Sequence, residues 1–327
     1  MTTYYGLYGQ KVQYLASDPT DVQIGQVWYN STSAVLKVRQ LATVNAWATG
    51  GNLNDARGNT AGAGATQNSA IVFGGQTPPS YNLAETYNGT SWTTVSTMNT
   101  GRYGLFGAGT QTAALAISGN SGSRTTAVES WNGSSWTNNP ASVNTARTNG
   151  AAGGNGTQTS AIIFGGFDGD NTAASESYNG TSWTNTPSLN TAKRTLGGAG
   201  ASNTSALGFG GYTPGGNTAA TESWNGSSWT TVNSLNTSRR NLIGFGTQTS
   251  ALGGAGISTA ATGATELWNG TSWTNNPSSM STIRTEFFGV GSQTSGVAFG
   301  GYVGPSTSAA TEEWTGEALQ NKTVTVT

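Results

Sequence analysis

The chain has no cysteine and no histidine, and charged residues make up only 8% of its 327 positions. Without cysteine there are no disulfides, no thiolate chemistry and none of the commonest zinc sites, so the fold is indifferent to redox compartment. Without histidine the usual general base and the usual metal ligand are gone, which excludes Ser-His-Asp arrangements and most zinc hydrolase designs. Thirteen Lys and Arg against fourteen Asp and Glu leave a net charge of -1, with no electrostatic footprint for nucleic acid. No apolar run approaches the ~20 residues needed to cross a bilayer. The start, Met1-Thr2-Thr3-Tyr4-Tyr5, lacks the basic residues and apolar stretch of a signal peptide. The expectation is a protein with no cofactor, no metal, no nucleic-acid partner and no membrane insertion. These traits suit a chain made in a cytoplasm and used outside it.

What is abundant is Gly, at 49 residues, with Thr, Ser, Asn and Ala. Such a bias can signal disorder, but 11 Trp, 11 Tyr and 9 Phe are too many aromatics for a chain that buries nothing. A unit of about 44 to 47 residues recurs six times, a period within the range of propeller blades. The third copy runs from Asn144-Thr145-Ala146-Arg147 through Gln158 and Ile162-Ile163-Phe164-Gly165-Gly166 to Glu176-Ser177-Tyr178-Asn179-Gly180-Thr181-Ser182-Trp183. Equivalent tryptophans are Trp92, Trp136, Trp183, Trp229 and Trp273. Each copy carries one glutamate, Glu85, Glu129, Glu176, Glu222, Glu266 or Glu312, and one arginine, read as Arg57, Arg102, Arg147, Arg194, Arg239 and Arg284.

Short β-prone runs bounded by turn residues, with no helical periodicity, give four strands per copy. The first is rich in small residues, as in Gly197-Gly198-Ala199-Gly200, and suits a crowded place near an axis. The link between the third and fourth is Asn-Gly in five copies, from Asn88-Gly89 to Asn269-Gly270, which predicts a tight hairpin turn, since both residues tolerate positive φ. The same sites also read as Asn-Gly-Ser/Thr glycosylation acceptors. The turn accounts for the Asn-Gly pair directly.

Paired glycines after the second strand, then an aromatic and a Trp, resemble kelch repeats over about residues 53 to 316. Copies two and five depart from the pattern, with Ile117-Ser118-Gly119 and Leu252-Gly253-Gly254-Ala255 in place of Phe-Gly-Gly. The resemblance implies an all-β, six-bladed kelch-type β-propeller of four antiparallel strands per blade. The copper oxidases of that class need histidines and a cysteine-linked tyrosine, which this chain does not have. The segment around Trp47 aligns with a fourth strand, while the last copy ends at Glu312-Glu313-Trp314 without one. The propeller is therefore expected to span 46–327, with Trp47 closing the ring. A competing expectation has the alternating run Asn321–Thr327 complete the last blade.

Residues 1–45 lie outside the repeat and read as an attachment region with a short β-hairpin, Ile24-Gly25-Gln26-Val27-Trp28-Tyr29-Asn30 followed by Ala34-Val35-Leu36-Lys37-Val38. This region resembles modules of bacteriophage tail-fibre and other virion proteins, particularly of marine phages. The resemblance implies a virion location, with other virion proteins as partners of the N-terminal region. The expected function is then non-enzymatic, a propeller displayed as a tail-fibre adhesin or surface module that binds a host-surface glycan or protein. The rival expectations are a capsid-decorating or connector protein without ligand and, third, a carbohydrate-active enzyme using a carboxylate pair.

The repeated Glu, Arg and Trp residues read as structure, since paired charges and large aromatics at fixed blade positions normally fill and fasten the interior. The loop Phe167-Asp168-Gly169-Asp170-Asn171 reads as a solvated turn in preference to a calcium loop. Ligand contact is better sought at aromatics that break the repeat: Tyr81, Tyr103, Phe167, Tyr212 and Tyr302, with Phe287 and Phe288 beside them.

Overall fold

The computed structural model describes residues 4–5, 11–21, 23–42, 45–76, 81–153 and 157–324. Every regular element among them is a strand. The chain divides into two compact units, residues 46–315 and residues 1–45 with 316–327.

The smaller unit is a five-stranded sheet, larger than the expected hairpin. Its order is Tyr4–Tyr5, Lys11–Leu15, Val27–Asn30, Val35–Ala42 and Ala318–Thr323. The predicted hairpin lies at its centre, pairing Val27 with Val38 and Asn30 with Val35. The smaller unit thus takes residues 316–327, which the repeat pattern assigns to the propeller. The alternating strand Ala318–Thr323 runs antiparallel to Val35–Ala42 and covers an edge that would otherwise be unpaired. Asp18 organises the hairpin, accepting from Trp28 Nε1 at 3.2 Å, Asn30 Nδ2 at 2.7 Å and Lys37 Nζ at 2.8 Å.

The larger unit is a six-bladed β-propeller. Blade one is Ala61–Thr66, Ser69–Phe73, Ala84–Tyr87 and Trp92–Val95. The first strands of the next four blades are Phe106–Gly109, Ala151–Ala152, Gly197–Ser202 and Ile243–Gly246. Blade six is Phe288–Ser292, Ser295–Phe299, Thr311–Thr315 and, from the other end of the sequence, Ala46–Thr49. The strand around Trp47 therefore fills the fourth place, and the C-terminal strand pairs elsewhere. Innermost strands neighbour one another in a closed cycle, blade six touching blade one. Small residues permit that crowding: a Cβ on Gly107 would stand 2.2 Å from the Gly62 carbonyl oxygen of the preceding blade.

Three repeated devices fasten the blades. The fourth-strand tryptophans are buried against the preceding blade, Trp92 on Phe299, Trp136 on Phe73, Trp229 on Phe164 and Trp273 on Phe209. Amides in the turns between first and second strands form a second fastener that sequence reasoning missed. Gln158 Nε2 donates to the Ala114 and Trp131 carbonyls at 2.9 and 2.8 Å, and Gln111, Asn203, Gln248 and Gln293 repeat this toward their preceding blades. Its sequence signal was the recurring Thr-Gln-Thr and Ser-Asn-Thr turns.

The third device is the buried glutamate, which fixes the corner leading into its own blade. Glu85 accepts from Asn54 N–H at 2.8 Å and from Arg57 Nη2 at 2.6 Å. The pattern holds in all six blades, with one correction: in blade four the partner of Glu222 is Lys193, at 3.2 Å, and not Arg194. Lys193 stands at the position of Arg147 and Arg239, directly after the Asn-Thr-Ala/Ser corner, so the Lys-Arg doublet had misdirected the alignment. Burial pushes the guanidiniums of Arg57, Arg102, Arg147 and Arg239 below their ordinary range, opposed by the adjacent glutamate. For Arg284 burial takes the value to about 10, still a cation at neutral pH. Removing one member of such a pair strands the other charge, at a cost of about 3–5 kcal/mol.

The five Asn-Gly pairs lie in hairpin turns as expected, but the asparagine has another role than supplying positive φ. Tyr87 pairs with Trp92, which leaves a four-residue loop, Asn88-Gly89-Thr90-Ser91. Only the glycine takes positive φ, +92° at Gly89. The asparagine caps the loop through its side chain, Oδ1 accepting from the N–H groups of Thr90 and Ser91 at 2.9 Å each.

Candidate functional site

At the start of each innermost strand one residue adopts the left-handed conformation: Asn59, Gly104, Asn149, Thr195, Asn241 and Glu286, with φ between 51° and 60°. All but Glu286 donate the backbone N–H to the carbonyl of the counterpart in the preceding blade. Five such bonds, from Asn59 N–H to Glu286 O onward, measure 2.6 to 3.0 Å. They make a backbone ring around one end of the central channel, where a cavity of about 110 Å³ is lined by five of these side chains. Glu286 is the one acidic member, its carboxylate accepting from Asn59 Nδ2 at 2.8 Å.

The residue before each ring member bridges to the residue after the paired glycines, giving Gly58–Gln76, Tyr103–Asn120, Thr148–Phe167, Arg194–Tyr212, Arg240–Ile257 and Thr285–Tyr302. The glycines make that bridge possible, since both positions of the pair sit at positive φ, as at Gly210 (62°) and Gly211 (106°). In the two departing copies Ser118 and Ala255 adopt positive φ at the first position, and glycine keeps the second. The six bridges encircle the channel mouth. The aromatics singled out from the sequence, Tyr81, Tyr103, Phe167, Tyr212 and Tyr302, therefore come from five separate loops onto one face.

That face has two halves. On one, Tyr302 Oη donates to Gln76 Oε1 at 2.7 Å, its ring lies against the backbone of Gly58, and Tyr81 packs on Tyr103 with centroids 5.9 Å apart. Burial, with the Glu286 charge second, raises the Tyr302 hydroxyl above its ordinary range. On the other half five side chains alternate. Arg124 and Arg194 both lie over the Phe167 ring, at 5.3 and 5.0 Å from its centroid, and Arg194 and Arg240 both lie over Tyr212, at 5.4 and 5.3 Å. Polar bridges between neighbouring loops hold this ladder: Asn171 Nδ2 donates to Tyr212 O at 3.0 Å, Arg240 Nη1 to Asn217 Oδ1 at 2.8 Å, and Asn217 Nδ2 to Ser258 O at 2.7 Å.

The charge distribution is the distinguishing feature. The propeller has nine cationic side chains, and six of them are buried against glutamates. The remaining three are Arg124, Arg194 and Arg240, all in this ladder, and among the described residues no carboxylate stands within ion-pair distance of them. Sequence reasoning missed the ladder, although the doublets Lys193-Arg194 and Arg239-Arg240 marked two of its rungs. Phe287 is buried and Phe288 lines the channel, so neither belongs to the face. Asp168 and Asp170 are exposed in the loop after Phe167. Among the described residues no three metal-ligating side chains converge.

No family model matches the chain, and no curated protein matches it. A solved structure described as "Structure of YjhT" superposes with a TM-score of 0.67 at 12% identity, covering 83% of this chain and 99% of its own. At that identity the likeness is one of fold, the β-propeller.

Proposed function

We propose that this chain is a non-enzymatic binding module of a bacteriophage virion, displayed as a tail-fibre or surface adhesin, with the channel-mouth face as its contact surface. One observation carries the reading: the three cations of the propeller that have no carboxylate partner all lie on a single face, beside the aromatics that break the repeat. A merely structural propeller gains nothing by collecting them there, because like charges held together raise its energy. The six repeated glutamates are committed to blade corners by N–H and cationic partners, which argues against their service as a catalytic acid and base. Attachment through the smaller unit, and the virion setting itself, rest on the sequence resemblance.

Two measurements test the reading. Mass spectrometry of particles purified from a producing culture should find the chain, and antibody labelling should place it on the particle surface. Fluorescently labelled protein should bind host cells and compete with particle adsorption. Absence from particles sinks the virion setting. Failure to bind cells or to compete sinks the adhesin role.

A further inference from the structure

We infer that the ladder is a site for an acidic polysaccharide, recognised through carboxylate or sulfate groups. The inference rests on the binding-module reading and names its ligand class. The arrangement selects against the alternatives on geometric grounds. Phe167 and Tyr212 are each met by two guanidiniums at 5.0 to 5.4 Å, so a neutral sugar or a nucleobase would have to compete with those cations for the rings. Single-stranded nucleic acid is ordinarily held by open aromatic platforms together with a continuous basic groove, and here both rings are already engaged by guanidiniums.

What the ladder leaves open is the edges of the guanidiniums. Among the described residues neither Arg124 nor Arg194 gives a guanidinium hydrogen bond to a protein acceptor, and Arg240 gives only Nη1, to Asn217. A guanidinium fixed by stacking presents parallel N–H groups that match a planar carboxylate or a sulfate bidentately, with little entropy left to lose. Consecutive arginines share a ring and so stand no more than about 11 Å apart. Anionic groups recurring along one extended chain can meet all three within that reach. The polar bridges through Asn171 and Asn217 hold the rungs in register before any ligand arrives.

The test is affinity electrophoresis and titration calorimetry of the full chain against a polyuronate, a sulfated galactan, neutral dextran and oligo-dT. Binding to at least one of the acidic polysaccharides, weakening as salt rises, with dextran inert and oligo-dT weaker, is the expected result. Arg194→Gln should lower affinity by about tenfold or more, and Arg194→Lys should not restore it, because a lysine keeps the charge and loses the fork. Melting temperature checks that each variant is folded. Should a variant melt early, Arg124→Gln at the exposed end of the ladder replaces it. Equal binding to dextran, preference for oligo-dT, unaltered affinity in the folded variants, or no binding to either acidic polymer would overturn the proposal. If folded Arg124→Gln/Arg194→Gln protein still labels host cells like wild type, the ladder is not the contact and the adhesin role survives. Loss of wild-type cell binding would fail that role by itself.

Discussion

Trp314 and Trp47 face each other across one antiparallel strand pair, their ring centroids 5.3 Å apart, although they come from opposite ends of the propeller's sequence. Trp47 also donates its indole N–H to Thr265 Oγ1 of blade five at 2.9 Å, so one residue joins the last blade to its neighbour as well as completing it. Removing residues 46–49 should therefore expose the edge of strand Thr311–Thr315 and uncover Phe245 and Trp314. The expected outcome is aggregation or a large fall in melting temperature. A truncated protein that melts like the intact one would refute the closure argument.

The same indole contact supplies a second prediction. Trp92, Trp229, Trp273 and Trp47 each donate to a Thr or Ser hydroxyl at the start of a third strand in the preceding blade: Thr311, Ser175, Thr221 and Thr265. Trp136 and Trp183 are buried with the indole nitrogen unpartnered, and the corresponding residues before them are Ala84 and Val128. Ala84→Ser and Val128→Thr should each stabilise the protein by about 0.5–1.5 kcal/mol by supplying the missing acceptor. Denaturant midpoints measure this. A lower midpoint in both variants would mean that those indoles do not want a partner.

Glycine matters unequally within each pair. At Gly210 (φ 62°) a side chain meets the ordinary left-handed cost, and natural Ser118 and Ala255 show that the position tolerates it. At Gly211 (φ 106°) the conformation is one that few side chains adopt; a Cβ would stand 2.8 Å from a carbonyl oxygen at either position, Arg239 for Gly210 and Arg194 for Gly211, so the backbone angle is what separates them. Gly210→Ala should cost about 1 kcal/mol and Gly211→Ala two to three times as much. Because the second change presses on the Arg194–Tyr212 bridge, it should also weaken whatever the face binds. Equal costs in denaturant titrations would contradict this.

Tyr87 gives a pH dependence. Its hydroxyl donates to Glu313 at 2.5 Å, and burial, with that carboxylate second, raises its pKa to about 12 from the ordinary 10. The folded state then holds a proton that the unfolded chain has lost between those values. The stabilisation is complete below pH 10 and disappears as pH rises toward 12. Wild type should lose melting temperature more steeply than Tyr87→Phe across that window, and parallel curves would rule the linkage out.

Much of the fold was legible because it is written six times. A Trp, a Glu and a glycine pair recurring at fixed spacing read as structure wherever one copy is understood. Single departures were harder. The Lys193-Arg194 doublet hid which residue meets Glu222, and the Asn-Gly pairs suggested positive φ at both residues because the asparagine's capping role depends on two residues beyond it. The site was legible only in pieces. Its aromatics could be picked out as breaks in the repeat, but the ladder draws on three repeat positions in four blades: Arg194 and Arg240 share one, Phe167 and Tyr212 another, Arg124 stands at a third, and other blades fill these positions differently. Their meeting side by side depends on neighbouring blades being packed around the ring.

A gene made of tandem copies tends to gain or lose one when it recombines out of register, and an open solenoid absorbs the change. This molecule has no such freedom. The carbonyl that accepts from Asn59 belongs to Glu286, and the strand completing the last blade is encoded ahead of the first. A seventh copy would have to widen a circle of backbone bonds whose size is set by 2.6 to 3.0 Å contacts, and a missing one would have to tighten it. Copies can trade sequence with one another and stay alike, while geometry holds their number at six.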